Sequence, residues 1–328
     1  MNLQHRRERP TDRRGLAVRL RRVGLIAVFG LVVALPSGPS ALATVPGPDG
    51  LIAFRADTGS GDQIYTIRPD GTGQTQLTFL DGDNLLQPHW SPDSRLIVFE
   101  LDTPDSCANV AYMNADGTNM VVLPLANGDI CEAMPSFSPD GQRIYYEAFD
   151  GHRDAIWSMA LDGTDRHWVT SCLGRGVTDP EVSPDGTMIA FTCFSRRGSA
   201  LFDSNIDGSH LRQLTPFSFD VGTKEDWSPD SARIMFISTP HEGSPDAQVN
   251  TATIRPDGTG LFWVTHYPAG GPLAFGNSYS PDGRWIVLRL EQNGLYALYK
   301  IHPDGTGLTQ ITPYSTFRPR GMAWGSAS

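Results

Sequence analysis

The chain has 328 residues, with 26 basic and 36 acidic side chains and a formal net charge of −10. A negative balance repels phosphate backbones and anionic headgroups, which argues against nucleic acid or a membrane surface as partner. The charge is unevenly placed, and its placement marks the first element of the chain.

Eight of the basic residues (Arg6, Arg7, Arg9, Arg13, Arg14, Arg19, Arg21 and Arg22) precede an uncharged run of 13 residues from Val23 to Leu35. That run is short for a membrane span and suits the apolar core of a signal peptide. A small-residue stretch then ends in Ala41-Leu42-Ala43, an A-x-A cleavage pattern. Residues 1–43 therefore read as a signal peptide, with Thr44 as the first mature residue. The alternative is an uncleaved anchor, against which Pro36 and the A-x-A pattern argue. Arg13-Arg14 and Arg21-Arg22 are twin-arginine pairs without the full flanking pattern, so the general secretory route is favoured over the twin-arginine route. Either route takes the chain out of the cytoplasm, to the medium, periplasm or cell wall, with no membrane insertion after cleavage. The leader holds 8 basic and 2 acidic residues, which leaves 18 basic and 34 acidic ones and a net charge of −16 for the remainder.

The remainder is repetitive. Ser91-Pro92-Asp93-Ser94, Ser138-Pro139-Asp140-Gly141, Ser183-Pro184-Asp185-Gly186, Ser228-Pro229-Asp230-Ser231 and Ser280-Pro281-Asp282-Gly283 recur at intervals of 47, 45, 45 and 52 residues. A degenerate copy, Gly47-Pro48-Asp49-Gly50, lies 44 residues before the first. A second series is interleaved with it: Asp70-Gly71-Thr72, Asp116-Gly117-Thr118, Asp162-Gly163-Thr164, Asp207-Gly208-Ser209, Asp257-Gly258-Thr259 and Asp304-Gly305-Thr306. Both are turn formers. Proline presets φ, aspartate bonds its own backbone, and glycine takes the left-handed position that a tight hairpin needs.

The segments between turns read as strands. After the first turn come short β-rich runs such as Leu51-Ile52-Ala53-Phe54, Leu96-Ile97-Val98-Phe99 and Trp285-Ile286-Val287-Leu288. Before the D-G turn lie alternating runs such as Gln63-Ile64-Tyr65-Thr66-Ile67, and after it short outer strands ending in Gln76-Leu77-Thr78 or Gln310-Ile311-Thr312. Ahead of each S-P-D lies a further strand built around Trp90, Phe137, Val182, Trp227 or Tyr279. Two hairpins per unit make four strands per unit, the blade of a β-propeller. The first unit lacks the aromatic strand that should precede it, and a spare segment containing Trp324-Gly325 follows the last unit. The C-terminus is therefore expected to supply the inner strand of blade one and to hide both sheet edges. The expected fold is all-β: a six-bladed propeller of four-stranded antiparallel blades, in a single domain over residues 44–328.

The pattern P-x-W-S-P-D-G, an Ile-Ala-Phe-like strand, D-G-T and Leu-Thr resembles the TolB-type propeller repeats, which are related to WD-type repeats. The resemblance covers residues 45–325. It implies the propeller fold and leaves function open, since such repeats serve scaffolds, translocation-system components and the non-catalytic propellers of some peptidases. TolB also has a separate N-terminal α/β domain, whereas here the leader runs straight into the first blade.

Chemical motifs are scarce. Twelve aspartates are the turn residues just named, so hairpin formation is their expected role, and no EF-hand loop appears. G-x-S-x-G, H-E-x-x-H and P-loop patterns are missing, and the seven histidines beyond the leader are scattered among units. No cofactor and no metal are expected. The aromatics Trp90, Phe137, Trp227, Tyr279 and Trp324 share one repeat position, which points to inter-blade core rather than a sugar-stacking platform.

The loops that feed the inner strands converge on the mouth of the central channel, where propellers commonly bind. They carry the candidate binding residues Gln87, His89, Glu132, Asp179, Glu181, Glu225, Asn277, Arg318 and Arg320, with Lys224 and Asp226 between them. The four cysteines, Cys107, Cys131, Cys172 and Cys193, all follow the leader, and an even count in an exported chain points to disulfides. In an up-and-down blade the positions on either side of each pair lie on one face, which predicts Cys107–Cys131 and Cys172–Cys193. The expected function is a monomeric, non-catalytic binding or scaffold propeller for a protein, an extracellular small molecule or a glycan. A propeller lyase or hydrolase acting on a carbohydrate or peptide is the alternative.

Overall fold

The computed structural model describes residues 48–104, 107–126, 131–149, 152–174, 176–239 and 248–327. The signal peptide assigned to residues 1–43 lies outside the described residues. Six four-stranded antiparallel sheets stand in a ring. Blade one consists of Asp49–Asp57, Asp62–Ile67 and Thr75–Gln76, with Arg320–Ser326 added as its innermost strand. The innermost strands of blades two to six are Asn84–Trp90, Glu132–Phe137, Gly176–Val182, Asp226–Trp227 and Leu273–Tyr279. Their second strands are Leu96–Asp102, Arg143–Phe149, Met188–Ser195, Ile234–Ser238 and Ile286–Gln292, each followed outward by a third and a short fourth strand.

The repeated turns form for the reasons read from their residues. Asp70 accepts the backbone N–H and the hydroxyl of Thr72 at 2.9 and 2.7 Å. Asp116, Asp162, Asp207, Asp257 and Asp304 do the same for Thr118, Thr164, Ser209, Thr259 and Thr306. In the other series the Ser91 hydroxyl donates to Asp93 at 2.7 Å and accepts the Leu96 N–H at 2.9 Å, with counterparts at Ser138, Ser183, Ser228 and Ser280. These side chains satisfy backbone groups that a two-residue turn leaves open. The aspartates so abundant in the sequence are hairpin parts.

The ring closes through the tail. Ile52 pairs with Trp324 and Ala53 with Ala323 in antiparallel register. Gly325 is required there by close approach, because a Cβ at this position would lie 2.8 Å from the Trp90 indole of blade two. The core is divided into six clusters, one between each pair of neighbouring blades. Ile52, Phe54, Val287, Leu298 and Trp324 join blades one and six, and Ala53, Leu85, Trp90, Ile97 and Phe99 join blades one and two. Phe137, Trp227, Tyr279 and Trp324 are all buried in such interfaces, so the aromatic position is core. Burying one apolar face of each sheet against the next is what lets six small sheets share one fold.

Both expected disulfides are present, Cys107–Cys131 and Cys172–Cys193, with Cα atoms 4.7 and 5.9 Å apart. They lie on the face where the second strands end and the inner strands begin. No helix among the described residues is long and apolar enough to cross a membrane.

Candidate binding site at the channel mouth

A repeated bulge shapes the site. Three residues before the inner aromatic position stand Gln87, Met134, Asp179, Lys224, Gly276 and Gly321. Five of these are left-handed, with φ of 51°, 51°, 59°, 76° and 57° for Gln87, Met134, Asp179, Lys224 and Gly321. The pairing shifts at this point, between Leu86 and His89 in blade two and at the equivalent places in blades three, four and six. Proline follows in blades two, three and four (Pro88, Pro135 and Pro180), where the bulge asks for no ladder N–H. In blades two to five this position carries a side chain, so the unlike residues Gln87, Met134, Asp179 and Lys224 stand at one level of the repeat.

A second ring backs the first. The residue after the apolar core of each second strand is Arg55, Glu100, Glu147, Thr192, Ile237 or Arg289 in blades one to six. Most of these bind the inner strand of the following blade. Glu100 accepts the Met134 N–H at 3.2 Å, Glu147 accepts the Thr178 hydroxyl, Thr192 donates to Glu225, and Arg289 donates to the Pro319 carbonyl at 3.2 Å. The inner strands also clamp one another. Asp179 accepts the N–H groups of Lys224 and Glu225, Asp226 accepts that of Tyr279 at 2.7 Å, and Asn277 accepts that of Met322 at 3.3 Å. Carboxylates near the axis thus hold neighbouring blades in register.

Two side chains reach past the neighbouring blade. The Lys224 ammonium of blade five lies 3.4 Å from the Pro88 carbonyl of blade two, and His89 Nε2 of blade two lies 3.1 Å from Glu181 Oε2 of blade four. Between this bridge and the disulfide-bearing face lies a cavity of about 300 Å³. Its walls include Arg55, Gln87, Lys224, Asn277, Arg289 and Arg320, with Phe194, Val221, Ile237 and Phe275 supplying apolar surface.

The candidate residues from the sequence therefore divide. Gln87, Asn277 and Arg320 line the cavity. Arg318 stands near it, 3.4 Å from Glu291. His89, Asp179, Glu181 and Glu225 lie deeper among the clamps. Glu132 is fully buried away from the cavity, in an ion pair with Arg166 and within reach of the Ala126 N–H at 3.2 Å. The sequence reading missed Arg55, Arg289 and the two phenylalanines. A signal was available for the arginines, because each is a charge at a repeat position whose blade-five equivalent is Ile237.

Electrostatics follow from burial. Burial pushes the Glu147 carboxyl up to about 7 and, with the neighbouring Glu181 charge, the Asp226 carboxyl also to about 7. Burial and the adjacent Asp179 raise the Glu225 carboxyl well above the usual range. Burial opposes protonation of His89, but the Glu181 carboxylate outweighs it and the imidazole is raised. Burial, together with the Arg318 charge, lowers the Arg289 guanidinium to about 10. Among the described residues no three His, Cys, Asp or Glu side chains come together as a metal site.

Over residues 102–258 the chain matches the family described as the TolB beta propeller domain. Among solved structures it is similar to TolB from Acinetobacter baumannii, with a TM-score of 0.69 and 20% identity over 85% of this chain and 67% of that one. It is similar to a chain of the nidogen/laminin complex, with a TM-score of 0.64 and 12% identity over 84% of this chain and 98% of that one. It also resembles hydrazine synthase of Kuenenia stuttgartiensis, with a TM-score of 0.66 and 13% identity over 90% of this chain, and spans 50% of that chain's length. At such identities the solved structures speak to fold, and the matched repeat speaks to kinship. Residues 102–258 carry TolB-type propeller repeats, set within a six-bladed β-propeller fold.

Proposed function

We propose that the chain is an exported, non-catalytic binding propeller that engages a protein, an extracellular small molecule or a glycan at the cavity end of its channel. One observation carries the reading. Blades one, two, four, five and six all contribute side chains to a single cavity, while most carboxylates around it are engaged in holding blades together. A site assembled from several blades recognises shape and charge without needing a reactive group. Two disulfides suit an oxidising compartment outside the cytoplasm, whether periplasm, cell wall or medium. The nidogen/laminin complex is an assembly of proteins, and its propeller-like chain shares this architecture.

The lyase or hydrolase reading has one feature in its favour, the adjacent Asp179 and Glu225 carboxyl groups with Glu225 raised. It has less support, because Thr192 and two backbone N–H groups already engage that pair and neither residue lines the cavity.

Capture from the exported fraction, with the exported protein as bait, tests the proposal. A partner held by the natural chain and lost with Arg320→Gln plus Phe194→Ser supports it, and a partner held equally by both chains refutes the mouth as the binding face. N-terminal sequencing of the exported protein is expected to begin at Thr44.

A further inference from the structure

The cavity wall formed by blades six and one is unusually cationic for a chain with net charge −10. Arg55 and Arg320 both pair with the single carboxylate of Asp62. Arg289 and Arg318 both pair with the single carboxylate of Glu291, at 3.5 and 3.4 Å. Four guanidinium groups therefore share two carboxylates. The Nε atoms of all four are buried without a hydrogen-bond acceptor. A guanidinium offers five donors, and a buried donor left open costs free energy that a matching acceptor recovers. Lys224 of blade five lines the same cavity with Arg55, Arg289 and Arg320.

The remaining wall is apolar. Phe275 lies with its ring 4.0 Å from the Arg289 guanidinium carbon, so it fixes the plane of that group and shields it from water. Phe194, Val221 and Ile237 continue this surface. Deeper along the inner strands stand four acidic side chains, Asp179, Glu181, Glu225 and Asp226; burial leaves Glu225 and Asp226 with less than full charge, and the negative charge that the group retains disfavours a dianion more than a monoanion. A volume of about 300 Å³ holds a small organic group and not a polymer segment of many residues.

We propose that this cavity is a binding site for a carboxylate carried on an apolar stem, with Arg289 and Arg320 holding the carboxylate and Phe275 and Phe194 packing the stem. The assignment rests on the mouth being the binding face and names the chemistry it recognises. The same group is presented by a free small acid and by the C-terminal residue of a protein. Arginine suits it because its planar fork matches a carboxylate's two oxygens. The lowered Arg289 guanidinium gains a partner that favours its charged form.

Titration calorimetry on the full exported protein tests the proposal with N-acetyl-leucine, its amide and inorganic phosphate. The acid is expected to bind at least about tenfold more tightly than the amide, in line with a hydrogen-bonded charge pair, and more tightly than phosphate. Arg289→Met and Arg320→Gln are each expected to weaken the acid by about tenfold or more. Equal binding of acid and amide, tighter binding of phosphate, or no heat from the acid at millimolar concentration overturns the proposal. The acid–amide comparison uses the natural chain, so it stands even where a variant fails to fold. A ten-residue peptide ending in leucine, with free or amidated C-terminus, separates the sources. Tighter binding of the free-ended peptide than of N-acetyl-leucine points to a protein chain end, and weaker binding to a small acid. If the acid fails while Arg320→Gln plus Phe194→Ser still loses a captured partner, the carboxylate assignment falls and the binding face stands.

Discussion

The Trp90 indole of blade two donates its N–H to the backbone carbonyl of Ala323 at 3.1 Å, across 233 residues of chain. Trp227 of blade five makes the equivalent bond to the Glu181 carbonyl of blade four at 2.9 Å, so the tail strand is read by its neighbour as an ordinary inner strand. Closure also brings Arg320 to the cavity of the proposed site and Arg318 beside it, because both sit on or beside that tail strand.

Replacing Trp324 by alanine removes a buried indole from the interface between blades one and six. A loss of about 3–5 kcal/mol is expected, the usual cost of emptying a buried aromatic site. Urea unfolding with an unchanged slope and a lowered midpoint would show it, and an unchanged midpoint would mean that the tail strand contributes little.

The disulfides close loops of 24 and 21 residues. Each is expected to contribute about 3 kcal/mol in the chain-entropy account. Cys107→Ser with Cys131→Ser, and separately Cys172→Ser with Cys193→Ser, should each lower thermal stability in oxidising buffer and leave it unaffected under reducing conditions, where the natural chain falls to the same level.

Acidity is expected to act in two opposing ranges. Asp226 and Glu147 rise from 3.8 and 4.5 to about 7 on folding, so between those values the folded chain holds more protons than the unfolded one and stability falls as pH rises. The raised His89 acts in the same direction, its stabilisation being complete below 6.5 and lost above its folded value. The turn aspartates, exemplified by Asp70 and Asp162, are lowered by their threonine hydrogen bonds, and their contribution is lost as pH drops below 3.8. The melting temperature is therefore expected to peak near pH 4 and to be higher at about pH 5.5 than at about pH 8. Asp226→Asn with Glu147→Gln should flatten the slope between those two conditions. A rise in melting temperature from pH 5.5 to pH 8 would contradict this.

Asp179 holds two backbone N–H groups of blade five, so Asp179→Ala leaves both without their acceptor and is expected to cost about 1–3 kcal/mol. The same change removes a charge that raises Glu225. Carbon-detected NMR should then show the Glu225 carboxyl titrating lower than in the natural chain, a shift that loss of stability alone would not produce.

The blades, their number, the closure and both disulfides were legible in the sequence because each depends on local turn chemistry repeated at a fixed interval. Asp70-Gly71-Thr72 states its hairpin within three residues, and Trp324-Gly325 states its place by matching Trp90-Ser91. The site was legible only in part. Gln87, Asn277 and Arg320 sit at the predicted mouth, but Glu132 turns away to meet Arg166, a partner 34 residues later that no spacing rule reveals. Arg55 and Arg289 lie inside strands, where their neighbours Phe54 and Leu288 suggest core. Their convergence depends on blades one and six being adjacent, a consequence of ring closure and not of chain proximity.

Native-state hydrogen exchange on the full chain tests the closed ring most directly, since the cavity's arginine pairs depend on it. Amides of Arg320–Ser326 and Asp49–Asp57 are expected to exchange as slowly as those of Leu273–Tyr279, all opening only with global unfolding. Fast exchange confined to Arg320–Ser326 would show a tail that does not hold its place, and would contradict the account of both fold and site.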